Sequence, residues 1–283
     1  MTAAPQADAP KTSKAGRNLP AAIGVGVLLG VGLIAVLAYV PRVWFGVVAV
    51  ALAIATWEVA KRLREGGMDV ALIPLLAGGQ AIIWSTWPWG MRGAMAAFAA
   101  TTLVVMAWKL FAQGLADAPK NYTRDVALSI LVLAWLPLMG AFGVDMVQQD
   151  DGRYRVFTLL IIVVASDVGG YIAGVLFGKH PMVPAISPKK SWEGMGGSLL
   201  FGTVAAVGCA QWLLQTHWWV GLILGPLMVL VATCGDLIES QIKRDLGIKD
   251  MGTLLPGHGG IMDRLDSLLP SAFVTWAVLT VLM

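Results

Sequence analysis

The chain has 283 residues, 57% of them hydrophobic and 13% charged, with a formal net charge of +3 and a mean hydropathy of +0.74. Soluble domains carry about 25% charged residues, so these charges are too few to solvate the surface of a water-soluble protein of this size. The composition places the chain among polytopic membrane proteins. Cys209 and Cys234 both fall inside apolar runs and read as small buried hydrophobes. No disulfide framework or zinc spacing is present.

Residues 1–17 are Ala, Pro, Lys, Ser and Thr without apolar periodicity, and read as a disordered cytoplasmic tail. The run from Asn18 to Val40 exceeds the about 7–15 residues of a signal-peptide core and reads as a retained first span. A crossing needs roughly 20 apolar residues. On that measure nine spans are expected, near 18–40, 43–60, 69–88, 91–111, 124–146, 154–178, 196–215, 218–238 and 266–283. With the N-terminus inside, all Lys and Arg except Arg42, Arg92, Arg153 and Arg155 fall on the cytoplasmic face, as the positive-inside rule requires. The expected fold class is all-α: a polytopic integral membrane protein of about nine transmembrane helices, N-terminus cytoplasmic and C-terminus outside. Residues 18–150 are expected to form N-terminal transmembrane helices, and 151–283 a C-terminal transmembrane domain that carries the candidate site. The two long polar loops, about 179–195 and 239–265, then both face the cytoplasm.

An ionisable side chain at mid-bilayer costs at least about 2.5–3.5 kcal/mol, so each one asks for a role. Glu58 is a functional-site candidate, but it stands three residues before Lys61 and four before Arg62, and the blander reading, a local ion pair at the interface, is favoured. Asp167 lies mid-span with no cation within one helical turn. Asp236, Glu239, Ser240 and Lys243, spaced i, i+3, i+4 and i+7, share one helix face, and Asp263 and Asp266 share another. Two helices turning Asp236 and Asp263 toward each other would suit Mg²⁺, which binds one or two carboxylates plus substrate phosphates. The bland alternative is inter-helix salt bridges. Between these helices the run Pro256-Gly257-His258-Gly259-Gly260 reads as a tight turn or as an anion nest of backbone N–H groups. His258 is then a phosphate donor or a cap for that turn. The loop Ser187-Pro188-Lys189-Lys190-Ser191 offers cations and hydroxyls, either to a bound phosphate or to anionic lipid heads. An ion-coupled transporter and a structural scaffold are the rival readings. The first lacks an inverted repeat with broken spans, and the second leaves 240–266 without explanation.

The block from 240 to 266 resembles the phosphatidate cytidylyltransferase (CDP-diacylglycerol synthase) family. The pattern S-x-apolar-K-R, four residues, K-D, a small residue two on, then P-x-H-G-G-apolar-x-D-R-apolar-D is met at Ser240, Lys243, Arg244, Lys249, Asp250, Gly252, Pro256, His258, Gly259, Gly260, Asp263, Arg264 and Asp266. The resemblance extends to Gly235-Asp236-Leu237, to the loop from Ser187 to Gly194, and to Asp167 with Phe177-Gly178-Lys179. Ser191 stands where Thr is expected, and the hydroxyl is kept. The resemblance implies transfer of the cytidylyl group of CTP to phosphatidate, giving CDP-diacylglycerol and pyrophosphate. It also implies Mg²⁺ dependence, with a second, monovalent cation such as K⁺, and a homodimer in the cell (inner) membrane. It places metal ligation on Asp236 and Asp263, with Asp167 as a further candidate. The residues expected to carry catalysis are Asp236, Asp263, Lys243, Arg244, His258 and Asp266. Those expected at the substrates are Ser187, Lys189, Lys190, Ser191, Ser240, Lys249, Asp250, Gly259, Gly260 and Arg264. No nucleic acid partner is expected. A related enzyme joining CTP to another lipid acceptor is the near alternative.

Overall fold

Nothing in the hydrocarbon region of a membrane can take up free backbone N–H and C=O groups, so apolar runs satisfy them internally as helices. The computed structural model describes residues 30–40, 42–112, 115–116, 118–254 and 259–283. The expected tail, the part of the first span before Gly30, and His258 lie outside the described residues. Among the described residues seven helices are long and apolar enough to cross a membrane. In chain order the helices are α1 (Gly30–Tyr39, the one shorter apolar helix), α2 (Val43–Glu65), α3 (Leu72–Ala112), α4 (Tyr122–Met146), α5 (Gly152–Phe177), α6 (Trp192–Leu213), α7 (Trp218–Asp245) and α8 (Met262–Leu282).

Helix α3 holds 41 residues, about 60 Å if straight and twice the about 30 Å of a hydrocarbon core. It doubles back instead. Gly90, two residues after Pro88, takes φ 56° and ψ −150°, a conformation open to glycine alone. Gly78 then packs on Thr101, and Gly93 on Ser85, so the two arms run antiparallel. These arms are the segments expected at 69–88 and 91–111. In α4, Pro137 sits inside a wider π turn, Ala134–Leu138, which absorbs its missing N–H.

The all-α expectation holds, with one small hairpin added outside the helices. The segment read as a loop at 179–195 contains an antiparallel pair, β1 (Pro181–Val183) and β2 (Ser187–Ser191), with Pro181 opposite Ser191 and Val183 opposite Ser187. Lys-Lys-Ser has low strand propensity, and the pairing is fixed by contacts around it. The Ile186 N–H closes the turn on the Val183 carbonyl at 3.1 Å, and the Trp192 N–H donates to His180 O at 3.0 Å. The His180 imidazole meets Glu193 at 2.5 Å across the base of the hairpin.

Two buried apolar clusters hold the molecule. One joins α2, α3 and α4 and takes in Met251, Met262 and Leu269 from the C-terminal half. The other joins α1, α5, α6, α7 and α8. Outward faces carry large exposed apolar side chains such as Leu103, Phe111, Val164, Leu176, Val204 and Trp212, a surface suited to lipid and not to water. Cys209 is buried as expected, whereas Cys234 is exposed on such a face. Since lipid tails are as apolar as the helices, close backbone approach and not hydrophobic burial draws the helices together. Between α5 and α6 this is plain: a Cβ at Gly197 would stand 2.4 Å from the Gly169 carbonyl oxygen.

Candidate active site

Four elements converge at one end of the bundle. Helix α5 contributes Asp167. Hairpin β1–β2 contributes Lys189 and Lys190. The last turns of α7 contribute Asp236 and Lys243, and the start of α8 contributes Asp263, Arg264 and Asp266. Together they line a cavity of about 480 Å³. Ser191 also lines it, and its hydroxyl accepts the Gly194 N–H at 3.1 Å as the cap of α6. Capping orients α6 against the hairpin and so sets where the two lysines stand.

The approach of α7 to α8 depends on Gly235. A Cβ there would meet the Asp266 carbonyl oxygen at 2.3 Å and Pro270 Cγ at 2.7 Å. Backbone cannot yield as a flexible side chain does. Gly235→Ala is therefore expected to lower thermal stability by about 1–3 kcal/mol and to depress turnover through displacement of Asp236 and Asp266. A melting curve in detergent beside an activity assay checks it, and an unchanged melt would mean the helices separate freely.

Lys190 and Lys243 are paired with carboxylates inside the cavity. Lys190 Nζ bonds Asp236 Oδ2, and Ser240 Oγ donates to Asp236 Oδ1 at 3.3 Å. Lys243 Nζ bridges Glu239 Oε2 at 2.5 Å and Asp263 Oδ1 at 2.9 Å. Asp263 also accepts the Gly260 N–H at 2.7 Å and the Met251 N–H at 3.1 Å. Asp236 is near enough to Asp167 and to Asp266 for their charges to interact. Glu239 is fully buried, and its Oε1 has no hydrogen-bond partner among the described residues.

The structure brings together Asp167, Lys189, Lys190, Ser191, Asp236, Lys243, Asp250, Asp263, Arg264 and Asp266 around the cavity. Ser187, Ser240, Arg244, Lys249, Gly259 and Gly260 are not among its lining residues. Ser240 touches the cavity only through Asp236. Arg244 Nε donates to Ile186 O at 3.3 Å and ties α7 to the hairpin. Gly259, at φ +82°, and Gly260 pack behind Asp263 and shape its seat. Sequence reasoning missed Ser166, Gly170, Tyr171, Met195, Thr233 and Ser267, which also line the cavity. They carry no charge or motif to mark them, and only the close packing of α5, α6, α7 and α8 puts them there.

Glu58 departs from its reading as a local ion pair. Arg62 pairs with Glu65 at 2.8 Å and Lys61 approaches the same residue at 3.9 Å. The Glu58 carboxylate is buried and accepts the Met262 N–H at 2.9 Å. No spacing within α2 announces that partner, because it lies beyond α7.

The donor set can be tested against a divalent cation. Among the described residues no three His, Cys, Asp or Glu side chains are grouped as a cage that would hold a metal alone, so Asp167, Asp236 and Asp263 do not form one. Mg²⁺ takes only one or two carboxylates when phosphates and water supply the rest. Five carboxylates and four cationic side chains line the cavity, a deficit of positive charge for a site that receives phosphates. The ammonium groups of Lys190 and Lys243 already rest on Asp236 and Asp263, marking both carboxylates as cation seats. The residues present fit Mg²⁺ bound jointly with a phosphate.

Comparison with known proteins gives the family. The Cytidylyltransferase family matches residues 20–282. The chain belongs to the cytidylyltransferase family. It is 55% identical over 287 aligned residues to the Mycobacterium bovis "Phosphatidate cytidylyltransferase", covering 99% of this chain and 94% of that one. It is 53% identical to the Mycobacterium leprae protein of the same name, covering 96% and 90%. A Helicobacter pylori relative of that name is 42% identical over 143 residues, half of this chain and 53% of its own. The family is thus the one that the block from 240 to 266 resembles.

Proposed function

We propose that the chain is a phosphatidate cytidylyltransferase, which transfers the cytidylyl group of CTP to phosphatidate at the cytoplasmic membrane face and releases pyrophosphate. The product, CDP-diacylglycerol, feeds phospholipid synthesis. Identity of 55% over nearly the whole chain to proteins of that name carries the reading. The polar cavity set at the ends of apolar helices supports it, since it suits a lipid whose charged head must stay at the interface while its acyl chains lie between the spans.

A phosphate oxygen of phosphatidate attacks the α-phosphorus of CTP in line. A P–O bond forms there, the bond to the bridging oxygen breaks, and pyrophosphate leaves. Phosphatidate is already ionised at neutral pH, so no general base is needed. The barrier is repulsion between anions and their misorientation, and the residues act by position and charge. Lys189, Lys190, Lys243 and Arg264 supply fixed positive charge within the cavity. Arg244 and Lys249 add charge at its rim, and Ser187 stands beside the hairpin turn. Ser240 orients Asp236, the Gly260 N–H and the close seat left by Gly259 hold Asp263 in place, and His258 is a donor to phosphate. Asp236 and Asp263 would hold Mg²⁺, with Asp167 and Asp266 beside Asp236 and a monovalent cation such as K⁺ nearby. When bound, Mg²⁺ neutralises phosphate charge and stabilises the departing pyrophosphate.

The distribution of charge supports a cytoplasmic site, since only Arg42, Arg92, Arg153 and Arg155 fall on the opposite face. Trp84, Trp87 and Trp89 flank the Gly90 turn, and Trp212, Trp218 and Trp219 flank the turn between α6 and α7. Both groups belong to that opposite face, as interfacial aromatic belts do. The active form is a homodimer.

The test is pyrophosphate release by detergent-purified protein given CTP, dioleoyl phosphatidate and Mg²⁺. Release is expected only with all three present, and EDTA is expected to stop it. Folded protein that is silent with phosphatidate but active with another lipid phosphate or alcohol would move the acceptor. Silence with the whole panel would end the transferase reading.

A further inference from the structure

Helix α2 contributes nothing to the cavity lining, yet its final turns grip the loop between α7 and α8 at two points. Glu58 is 2% exposed, and its Oε2 accepts the Met262 N–H at 2.9 Å from a residue 204 positions away. One helical turn further along the same face, Arg62 Nε donates to the Met251 carbonyl at 2.9 Å. Met251 and Met262 bound the stretches that seat Asp263. The Met251 N–H reaches its carboxylate at 3.1 Å, the Gly260 N–H at 2.7 Å and the Gly252 N–H at 3.5 Å.

The loop is shaped around the Glu58 carboxylate. A Cβ at Gly252 would stand 1.9 Å from Glu58 Oε1, and one at Gly260 would stand 2.5 Å from Oε2. Two glycines on opposite sides of the loop therefore leave room for one side chain of a distant helix. Glu58 Oε1 is buried with no hydrogen-bond partner among the described residues, and a buried acceptor left unpaired weakens a fold. An apolar side chain would avoid that loss, but it would leave the Met262 amide without its acceptor.

We propose that Glu58 and Arg62 are positioning residues for the nucleotidyl-transfer site, holding the backbone amides of Met251–Gly252 and Gly260–Met262 at the spacing that fixes Asp263. Neither touches the substrates. This gives the N-terminal half a task in catalysis: α2 is the abutment against which the catalytic loop is set. The inference rests on the cytidylyltransferase reading for its activity readout, and has a second readout that does not.

The experiment uses the full chain, purified as wild type, Glu58→Ala, Glu58→Gln and Arg62→Ala. Pyrophosphate release is measured against CTP concentration, and amide hydrogen exchange is followed in peptides covering 247–265. Glu58→Ala is expected to lose about 100-fold in kcat, the scale of a small misplacement of a reacting group, while KM for CTP stays within about threefold. Exchange across 247–265 is expected to accelerate, with α5 unchanged. Glu58→Gln keeps a carbonyl oxygen for the Met262 N–H and is expected to restore most of kcat and the slow exchange. Arg62→Ala is expected to show the same pattern more weakly. Should Glu58→Ala fail to fold, Arg62→Ala and Glu58→Gln decide by the same readouts. An active wild type with unchanged kcat and exchange in the variants overturns the inference, as does an equal loss in Gln and Ala. A wild type without CTP-dependent release overturns the functional reading instead, and the exchange data alone then judge the clamp.

Discussion

Asp236→Asn and Asp263→Asn are each expected to lower turnover by about 10²–10³-fold, the loss that follows removal of one fixed electrostatic group from a reacting centre. The reason differs between the two. Asp236 faces the cavity with its carboxylate shared between Lys190 and Ser240. Its amide variant keeps the size of the side chain but loses the charge that would seat a cation beside the phosphates. Asp263 is held at both oxygens, by Lys243 and by the Gly260 and Met251 amides. An Asn there turns an NH₂ group toward donors, so some of its loss comes from disorder of the loop. Steady-state pyrophosphate release at saturating CTP and Mg²⁺, with gel filtration to show folded protein, checks both. Near-normal turnover in both variants would remove these carboxylates from any metal role.

Lys243→Met is expected to destabilise the fold by about 3–5 kcal/mol, the penalty for taking one partner from a buried ion pair. Domain stabilities are about 5–15 kcal/mol, so the loss is a large share of the whole. Its size follows from what Lys243 compensates: Glu239, fully buried in α7, and Asp263, which belongs to α8. Methionine fills much the same space but leaves both carboxylates facing each other. The double variant Lys243→Met with Glu239→Gln is expected to recover much of the loss, since partners in one charge network are not additive. Thermal unfolding in detergent reads the effect. A Lys243→Met melt equal to that of the wild type would show that water already reaches Glu239.

Much of this site was legible along the chain because its parts are local. Asp236, Glu239, Ser240 and Lys243 share a face of α7 by helical spacing, and the bonds from Lys243 to Glu239 and from Ser240 to Asp236 are i,i+4 contacts. Lys189 and Lys190 were legible as cations, but their placement was not: it needs the β1–β2 pairing and the Ser191 cap on α6. Glu58 was misread for the same reason in reverse. Cations stood at the right local spacing, and the true partner lay across the molecule. Lys109 was equally hidden, a lysine 1% exposed that bonds Asp69 at 2.5 Å and lies 3.7 Å from Asp125. Its partners come from outside α3.

By itself the sequence determined that the chain lies in a membrane as apolar helices, since so few charges leave no other solvent for it and lipid allows no other backbone arrangement. It determined the family as well, through the spacing of the charged block between α7 and α8. Only the tertiary structure decided that α5, α6, α7, α8 and the hairpin close on one cavity, because this depends on how nearly backbones approach at Gly169, Gly197 and Gly235. It alone decided that α2 reaches the loop between α7 and α8, because a hydrogen bond between residues 204 positions apart leaves no periodic trace in the chain.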